Sequence, residues 1–204
     1  MRQGRPRDVT FVLGGARSGK SRFAQRLASG RENVIFIATA TASDPEMEQR
    51  IARHRRSRPA EWQTLEVPLN LDAAILSLED DEQLVIVDCL TIYLANVMKH
   101  AQNRISEIEG YMRRLCEALQ NARAPIVIVS NEVGSGVHAA TALGRLYCDL
   151  LGEFNQQVAA LAQNVVVMMA GIPVPIKGRL PIEVQSGPGF DSAALQQGVS
   201  LFNG

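Results

Sequence analysis

Five short apolar runs punctuate the chain, at residues 10–13, 34–38, 84–87, 126–129 and 165–169. Each is nearly continuous in β-branched and aliphatic residues instead of alternating with polar ones, which is the pattern of strands covered on both faces. Helical patterns lie between them, from Lys20 to about Ala28 and over about 46–56, 91–100, 104–122 and 139–163. Strands alternating with helices predict a mainly parallel sheet with helices on both faces, joined by right-handed crossovers. In such sheets ligands bind at the carboxyl ends of the strands, so the residues that follow each run are where chemistry is expected.

The first run ends in Gly14, Gly15, Ala16, Arg17, Ser18, Gly19, Lys20 and Ser21. This satisfies the phosphate-loop pattern G-x-x-x-x-G-K-[S/T], with a strand before it and a helix after it. Glycines let backbone N–H groups turn toward phosphate oxygens where a Cβ would collide. Lys20 then reaches the β- and γ-phosphates, Ser21 offers its hydroxyl to Mg²⁺, and the helix adds the positive end of its dipole. The expectation is a nucleoside triphosphate site. The second run leads into Thr39, Ala40, Thr41, Ala42 and Ser43, small residues that permit close approach. The third leads into Asp88, placed as a Walker-B acid that holds Mg²⁺ directly or through water. The fourth leads into Ser130, Asn131 and Glu132, where Asn131 and Glu132 either orient a substrate hydroxyl or cap the next helix. The fifth leads into Ala170, Gly171 and Ile172.

Composition narrows the class. The chain has 204 residues, enough for one domain with a real core, read as 1–204 with a tail over 1–8 and an extension over 178–204. Lys plus Arg and Asp plus Glu are balanced at 21 each, which argues against generic attraction to nucleic acid or a membrane surface. No apolar run reaches the roughly 18 residues of a membrane span. The basic start, residues 1–8, has no secretory apolar core. Cys89, Cys116 and Cys148 are widely spaced and odd in number, which suits free thiols in a reducing cytoplasm.

The segment 43–59 is unusual. Ser43 and Glu46 form a capping box and Pro45 suits the first helical turn. Met47, Ile51 and His54 then share a face at steps of four and three, with Arg50, Arg53, Arg55, Arg56 and Arg58 around the histidine. One reading is a solvated arginine-rich surface helix. The other is a phosphate-facing helix whose cations favour the neutral, nucleophilic imidazole. His100 reads as a favourable cation at a helix end and His138 as a loop or helix-start residue.

These residues, with Ile37-Ala38-Thr39-Ala40, Trp62, Asp88-Cys89-Leu90-Thr91 and Ser130-Asn131-Glu132-Val133-Gly134 in this order, resemble the bifunctional adenosylcobinamide kinase / adenosylcobinamide-phosphate guanylyltransferase family over roughly residues 9 to 177. The resemblance implies a P-loop NTPase-like α/β fold, a RecA-like three-layer sandwich. It implies phosphorylation of adenosylcobinamide by ATP or GTP, and then transfer of GMP from GTP to that phosphate through a guanylylated histidine, with Mg²⁺. His54 matches that histidine; many members carry two adjacent histidines where this chain has Arg53-His54. Thr39, Ala40, Thr41, Arg55, Arg56, Ser57, Arg58, Glu66 and Asp88 match positions the family uses around the guanine nucleotide, while the chemistry of the residue types assigns Ser21 and Asp88 to the metal. The family also implies a homo-oligomer such as a trimer. A plain small-molecule kinase would need the loop and Asp88 but neither His54 nor its arginines. A nucleotide-dependent switch would turn over nucleotide without an acceptor. The kinase step presents a γ-phosphate while guanylylation needs an α-phosphate at His54, so either the nucleotide rebinds or the histidine helix moves.

Overall fold

The computed structural model describes residues 8–41, 45–56, 58–78, 83–134, 136 and 139–179. The strands are β1 (Val9–Gly14), β2 (Val34–Ala38), β3 (Gln63–Glu66), β4 (Leu84–Asp88), β5 (Ile126–Val129), β6 (Asn164–Met169) and β7 (Ile172–Lys177). The helices are α1 (Lys20–Leu27), α2 (Pro45–Arg56), α3 (Leu71–Leu76), α4 (Leu90–His100), α5 (Ile105–Asn121) and α6 (Ala142–Leu161). All seven strands form one sheet in the order β3-β2-β4-β5-β1-β6-β7. The first six run parallel, and β7 closes one edge antiparallel to β6.

Side chains alternate across the pleat, so β1, β2, β4, β5 and β6 each feed two cores. Val9, Phe11 and Leu13 of β1 join Leu90, Tyr93, Leu94, Ile108, Leu115 and Phe154, under α3 to α6. Val12, Phe36 and Ala38 face the other way, onto Phe23, Ala24 and Trp62. This is why those five strands read as continuous apolar runs: both of their faces are covered. Helices on both faces of a mainly parallel sheet bear out the expected three layers.

The predicted elements form with small boundary changes. Helix α6 starts at Ala142, later than expected, because the hydroxyl of Thr141 accepts a hydrogen bond from the Gly144 N–H (3.0 Å) and fixes the cap there. Ser43 of the expected capping box lies outside the described residues. Three elements go beyond the sequence reading: β3, α3 and β7. The Ala170-Gly171 turn that follows β6 has φ of 51° and 86°, which reverses the chain tightly into β7. Its Gly171 N–H donates to the Ser18 carbonyl (3.1 Å), so the hairpin buttresses the phosphate loop.

Candidate nucleotide site

The carboxyl ends of the parallel strands open onto a cavity of about 620 Å³, a size suited to a nucleotide. Its floor is the glycine-rich turn between β1 and α1. Arg17 and Gly19 there take positive φ (57° and 95°), so successive peptide groups turn inward. The turn is held by bonds of Ser18 N–H to the Gly15 carbonyl (3.3 Å), Phe23 N–H to the Gly19 carbonyl (2.9 Å) and Glu132 N–H to the Gly14 carbonyl (3.1 Å). Lys20 is buried, and its Nζ donates to the Gly15 carbonyl (2.6 Å), crossing the loop that an anion would fill. The Ser18 hydroxyl is buried with no hydrogen-bond partner among the described residues. A buried hydroxyl of this kind is satisfied once a phosphate oxygen sits beside it.

Opposite the loop, strand register brings an acid row together. Ala38 pairs with both Glu66 and Asp88, so the tips of β3, β2 and β4 lie level. Asp88 and Ser21 line the same cavity. A carboxylate and a hydroxyl are the hard oxygen donors that Mg²⁺ takes alongside water and nucleotide phosphates, so the pair fits that ion. Among the described residues no group of three or more His, Cys, Asp or Glu side chains is placed to hold a metal by itself.

The third wall is the end of α2 and the turn after it, which contribute Ile51, Arg55 and Arg58. Arg55 pairs with Glu66 (Nη2 to Oε1, 2.8 Å), a contact open to solvent on both sides and weak as a fastening. The Arg58 guanidinium lies 3.5 Å from the Phe36 ring centroid, a cation stacked on an aromatic face. Burial lowers the Arg58 pKa from its ordinary value, while the facing carboxylates of Asp88 and Glu66 oppose that shift and Arg55 adds to it. Arg58 Nε is buried without a hydrogen-bond partner among the described residues, a donor in reach of an anionic ligand. The lining carries five cationic side chains (Arg17, Lys20, Arg22, Arg55 and Arg58) against two acids (Glu66 and Asp88). Such an excess in a partly closed cleft concentrates polyanions.

Of the residues singled out from sequence, Ala16, Arg17, Ser18, Gly19, Lys20, Ser21, Ala40, Arg55, Arg58, Glu66 and Asp88 line this cavity. Gly14 and Gly15 shape the loop behind it. Thr39 is fully buried instead, its hydroxyl donating to the Cys89 carbonyl (2.7 Å) and accepting from the Cys89 N–H (2.9 Å). It ties the tips of β2 and β4, across the cis Asp88–Cys89 peptide. Thr41 and Arg56 are exposed and outside the lining. Ser57 and the side chain of His54 lie outside the described residues; the backbone of His54 belongs to α2. The sequence reading missed Arg22, Thr64 and Ile92, which also line the cavity. Thr64 stands two positions before Glu66 on β3 and so shares its face, a relation visible only once β3 is known.

The comparisons agree with this architecture. Among solved structures, the RadB recombinase superposes with a TM-score of 0.50 at 17% identity, over 86% of this chain and 83% of that one, a likeness of fold. The bifunctional adenosylcobalamin biosynthesis protein CobP of Pseudomonas aeruginosa is 43% identical over 169 residues, covering 82% of this chain and 96% of that protein. The bifunctional adenosylcobalamin biosynthesis protein CobU of Escherichia coli is 36% identical over 180 residues, covering 83% and 99%. Residues 10–176, nearly the whole described sheet and its helices, match the cobinamide kinase / cobinamide phosphate guanyltransferase family, and the chain belongs to that family.

Proposed function

We propose that the chain carries both activities for which its family is named, and that one cavity serves both. It phosphorylates the hydroxyl of adenosylcobinamide with ATP or GTP, then joins GMP from GTP to the new phosphate, releasing pyrophosphate. The observation that carries this reading is the meeting of three elements at one cavity: the phosphate loop, the Asp88 strand tip and the end of the arginine-rich helix α2.

In the kinase step Lys20 and the loop N–H groups hold the triphosphate, and positioning with charge stabilisation supplies most of the catalysis, because the transition state is loose. Ser21 and Asp88 hold Mg²⁺, which when bound neutralises charge on the phosphates. In the second step a ring nitrogen of His54 attacks the α-phosphorus of GTP. The bond from that phosphorus to the bridging oxygen breaks, and pyrophosphate leaves with the electron pair. The resulting phosphoramidate is reactive enough to pass GMP to an oxygen of the cobinamide phosphate, which frees the histidine. Arg55 and Arg58 clamp phosphates, a task suited to the guanidinium fork. His54 stands three positions after the cavity-lining Ile51 on α2, which supports its access to this site. Thr39, Thr41, Arg56 and Ser57 complete the nucleotide surroundings by family resemblance, Thr39 through the backbone it secures.

One continuous sheet from Val9 to Lys177 supports a single nucleotide-binding domain. The family resemblance supports a homo-oligomer, and the free cysteines suit a reducing cytoplasm; among the described residues no helix is long and apolar enough to cross a membrane. The test is incubation with GTP labelled at the α-phosphate, beside a γ-labelled control and His54→Ala. Acid-labile label from the α position alone, absent in the variant, is expected. Phosphorylation of adenosylcobinamide without any protein label would reduce the protein to a kinase.

A further inference from the structure

Strand order isolates one residue that the reading above does not use. Strand β5 lies between β4, which ends in Asp88, and β1, which ends in the phosphate loop. The first three residues beyond β5 are each pinned. Ser130 N–H donates to the Val12 carbonyl (2.9 Å), and Glu132 N–H donates to the Gly14 carbonyl (3.1 Å). Between them, Asn131 N–H donates to the Thr91 hydroxyl (2.8 Å), and its carbonyl accepts from Asn155 Nδ2 (3.0 Å). Asn155 Oδ1 in turn accepts from the Ser130 hydroxyl (2.8 Å), and the Tyr147 hydroxyl donates to the Thr91 carbonyl (3.0 Å). Ser130 and Asn155 are buried. Burying polar side chains is costly unless each is satisfied, and this set is satisfied largely through the Asn131 backbone. What the network leaves unconstrained is the Asn131 carboxamide. It lines the cavity with Lys20, Ser21 and Asp88 and has no hydrogen-bond partner among the described residues.

We propose that the Asn131 carboxamide positions the phosphoryl acceptor, an alcohol, against the γ-phosphate, and that Thr91 and Asn155 act as positioning residues through its backbone. This rests on the kinase reading above. A carboxamide offers an acceptor and two donors without charge. Its oxygen accepts from the acceptor hydroxyl and its nitrogen donates to a γ-phosphate oxygen, whereas a carboxylate in its place would repel the phosphate. The hydroxyl oxygen forms the new bond to the γ-phosphorus. The bond from that phosphorus to the leaving nucleoside diphosphate breaks, its electron pair staying on the β-phosphate oxygen. The hydroxyl proton passes to an oxygen of the transferred group. Asn131 holds these atoms in line and takes no proton, so its contribution is geometry and one donor to developing charge.

The experiment measures both half-reactions on one preparation: adenosylcobinamide phosphorylation with γ-labelled ATP, and protein labelling with α-labelled GTP. Asn131→Ala is expected to lower kinase kcat by about 10²-fold, the usual effect of losing one preorganised donor. The ratio of kinase to labelling rate falls at least tenfold. Thr91→Val, which removes the hydroxyl that fixes the Asn131 N–H, is expected to lower kinase kcat about tenfold with KM for ATP within twofold, and Thr91→Ser to restore it. Equal losses in both half-reactions, or a kinase kcat within threefold of wild type in Asn131→Ala, would overturn the proposal. So would a loss in Thr91→Val confined to KM or not restored by Thr91→Ser. A wild-type protein that fails to phosphorylate adenosylcobinamide overturns the kinase reading itself.

Discussion

Gly14→Ala tests whether the phosphate loop is held by sterics at the end of β1. Gly14 has φ of +148°, and a Cβ built there would stand 2.5 Å from the Met168 carbonyl oxygen, 2.8 Å from Ser18 Oγ and 3.2 Å from Met168 Cβ. The serine can rotate away at little cost. The carbonyl cannot, because Gly14 and Met168 are ladder partners in adjacent parallel strands. The added methyl must therefore spread β1 from β6 at the point where the loop begins. A non-glycine residue in this backbone region costs about 1–3 kcal/mol, and forcing atoms into a packed site costs a further 1–3 kcal/mol or so. Together these give a loss of about 2–6 kcal/mol, or about 4–24 °C in Tm for a domain this long. Two controls separate the terms. Gly19 has φ of +95° but its nearest neighbour is 3.7 Å away, so Gly19→Ala carries strain without a clash and should cost about 1–2 kcal/mol. A Cβ built on Gly15 would meet nothing within 4 Å among the described residues, so Gly15→Ala should stay within about 0.5 kcal/mol. Urea unfolding followed by Trp62 fluorescence, without nucleotide so that ligand linkage does not enter, gives all three values. A Gly14→Ala loss below 1 kcal/mol, or smaller than that of Gly19→Ala, would refute the steric argument.

Further predictions concern the core and its network. Burial, aided by the Asp88 charge, pushes the Cys89 thiol up to about 11 from an ordinary 9.0. Below pH 9 both folded and unfolded chains keep this proton. From 9 to 11 only the folded chain keeps it, so stability falls as pH rises, by up to about 1.4 kcal/mol per pH unit for this group. Burial also raises Tyr93 and Tyr147, extending the loss to higher pH. Thermal unfolding scanned from pH 8 to 11 should therefore drop less steeply in Cys89→Ala than in wild type, and parallel curves would contradict the assignment. Asn96 Nδ2 donates to the Thr39 carbonyl (2.8 Å) and the Pro68 carbonyl (3.2 Å), joining α4 to the ends of β2 and β3. Asn96→Leu should cost about 1–3 kcal/mol by orphaning both carbonyls. Asn96→Asp should cost more, since a carboxylate faces two acceptors; equal losses in chemical denaturation would show that the amide donor is not what matters.

The sequence was most legible where structure is local. The loop from Gly14 to Ser21, the start of α1 and the five runs covered on both faces each carry their signal within a dozen residues. Strand β3 carries no such signal: its four residues are exposed or half-buried, and it is a strand because its backbone pairs with β2. Strand β7 contains Pro173 and Pro175, residues that weigh against a strand yet are tolerated at an edge, where among the described residues no further neighbour needs their missing donors. Helix α3 has only six residues, too few for a period to show.

The same division runs through the site. Lys20 and Asp88 announce themselves by what precedes them in the chain, but their separation is a matter of strand order. Because β5 is inserted between β4 and β1, the residue beyond β5 stands over the gap between acid and phosphate loop, although Asn131 is 43 positions from Asp88 and farther still from Lys20. Thr39 shows the converse. Its small hydroxyl side chain at a strand end reads as ligand-facing, yet both hydrogen-bonding capacities used in the structure go to the Cys89 backbone. A hydroxyl accepting from the N–H of Cys89 and donating to the carbonyl of the same residue grips the two peptide groups that follow Asp88 and fixes where Asp88 stands relative to Ala38. On this view Thr39 sets the position of Asp88, the acid proposed to hold Mg²⁺, so Thr39→Val should raise the Mg²⁺ concentration at which both half-reactions reach half their maximal rate, while Asn131→Ala alters only the ratio between them.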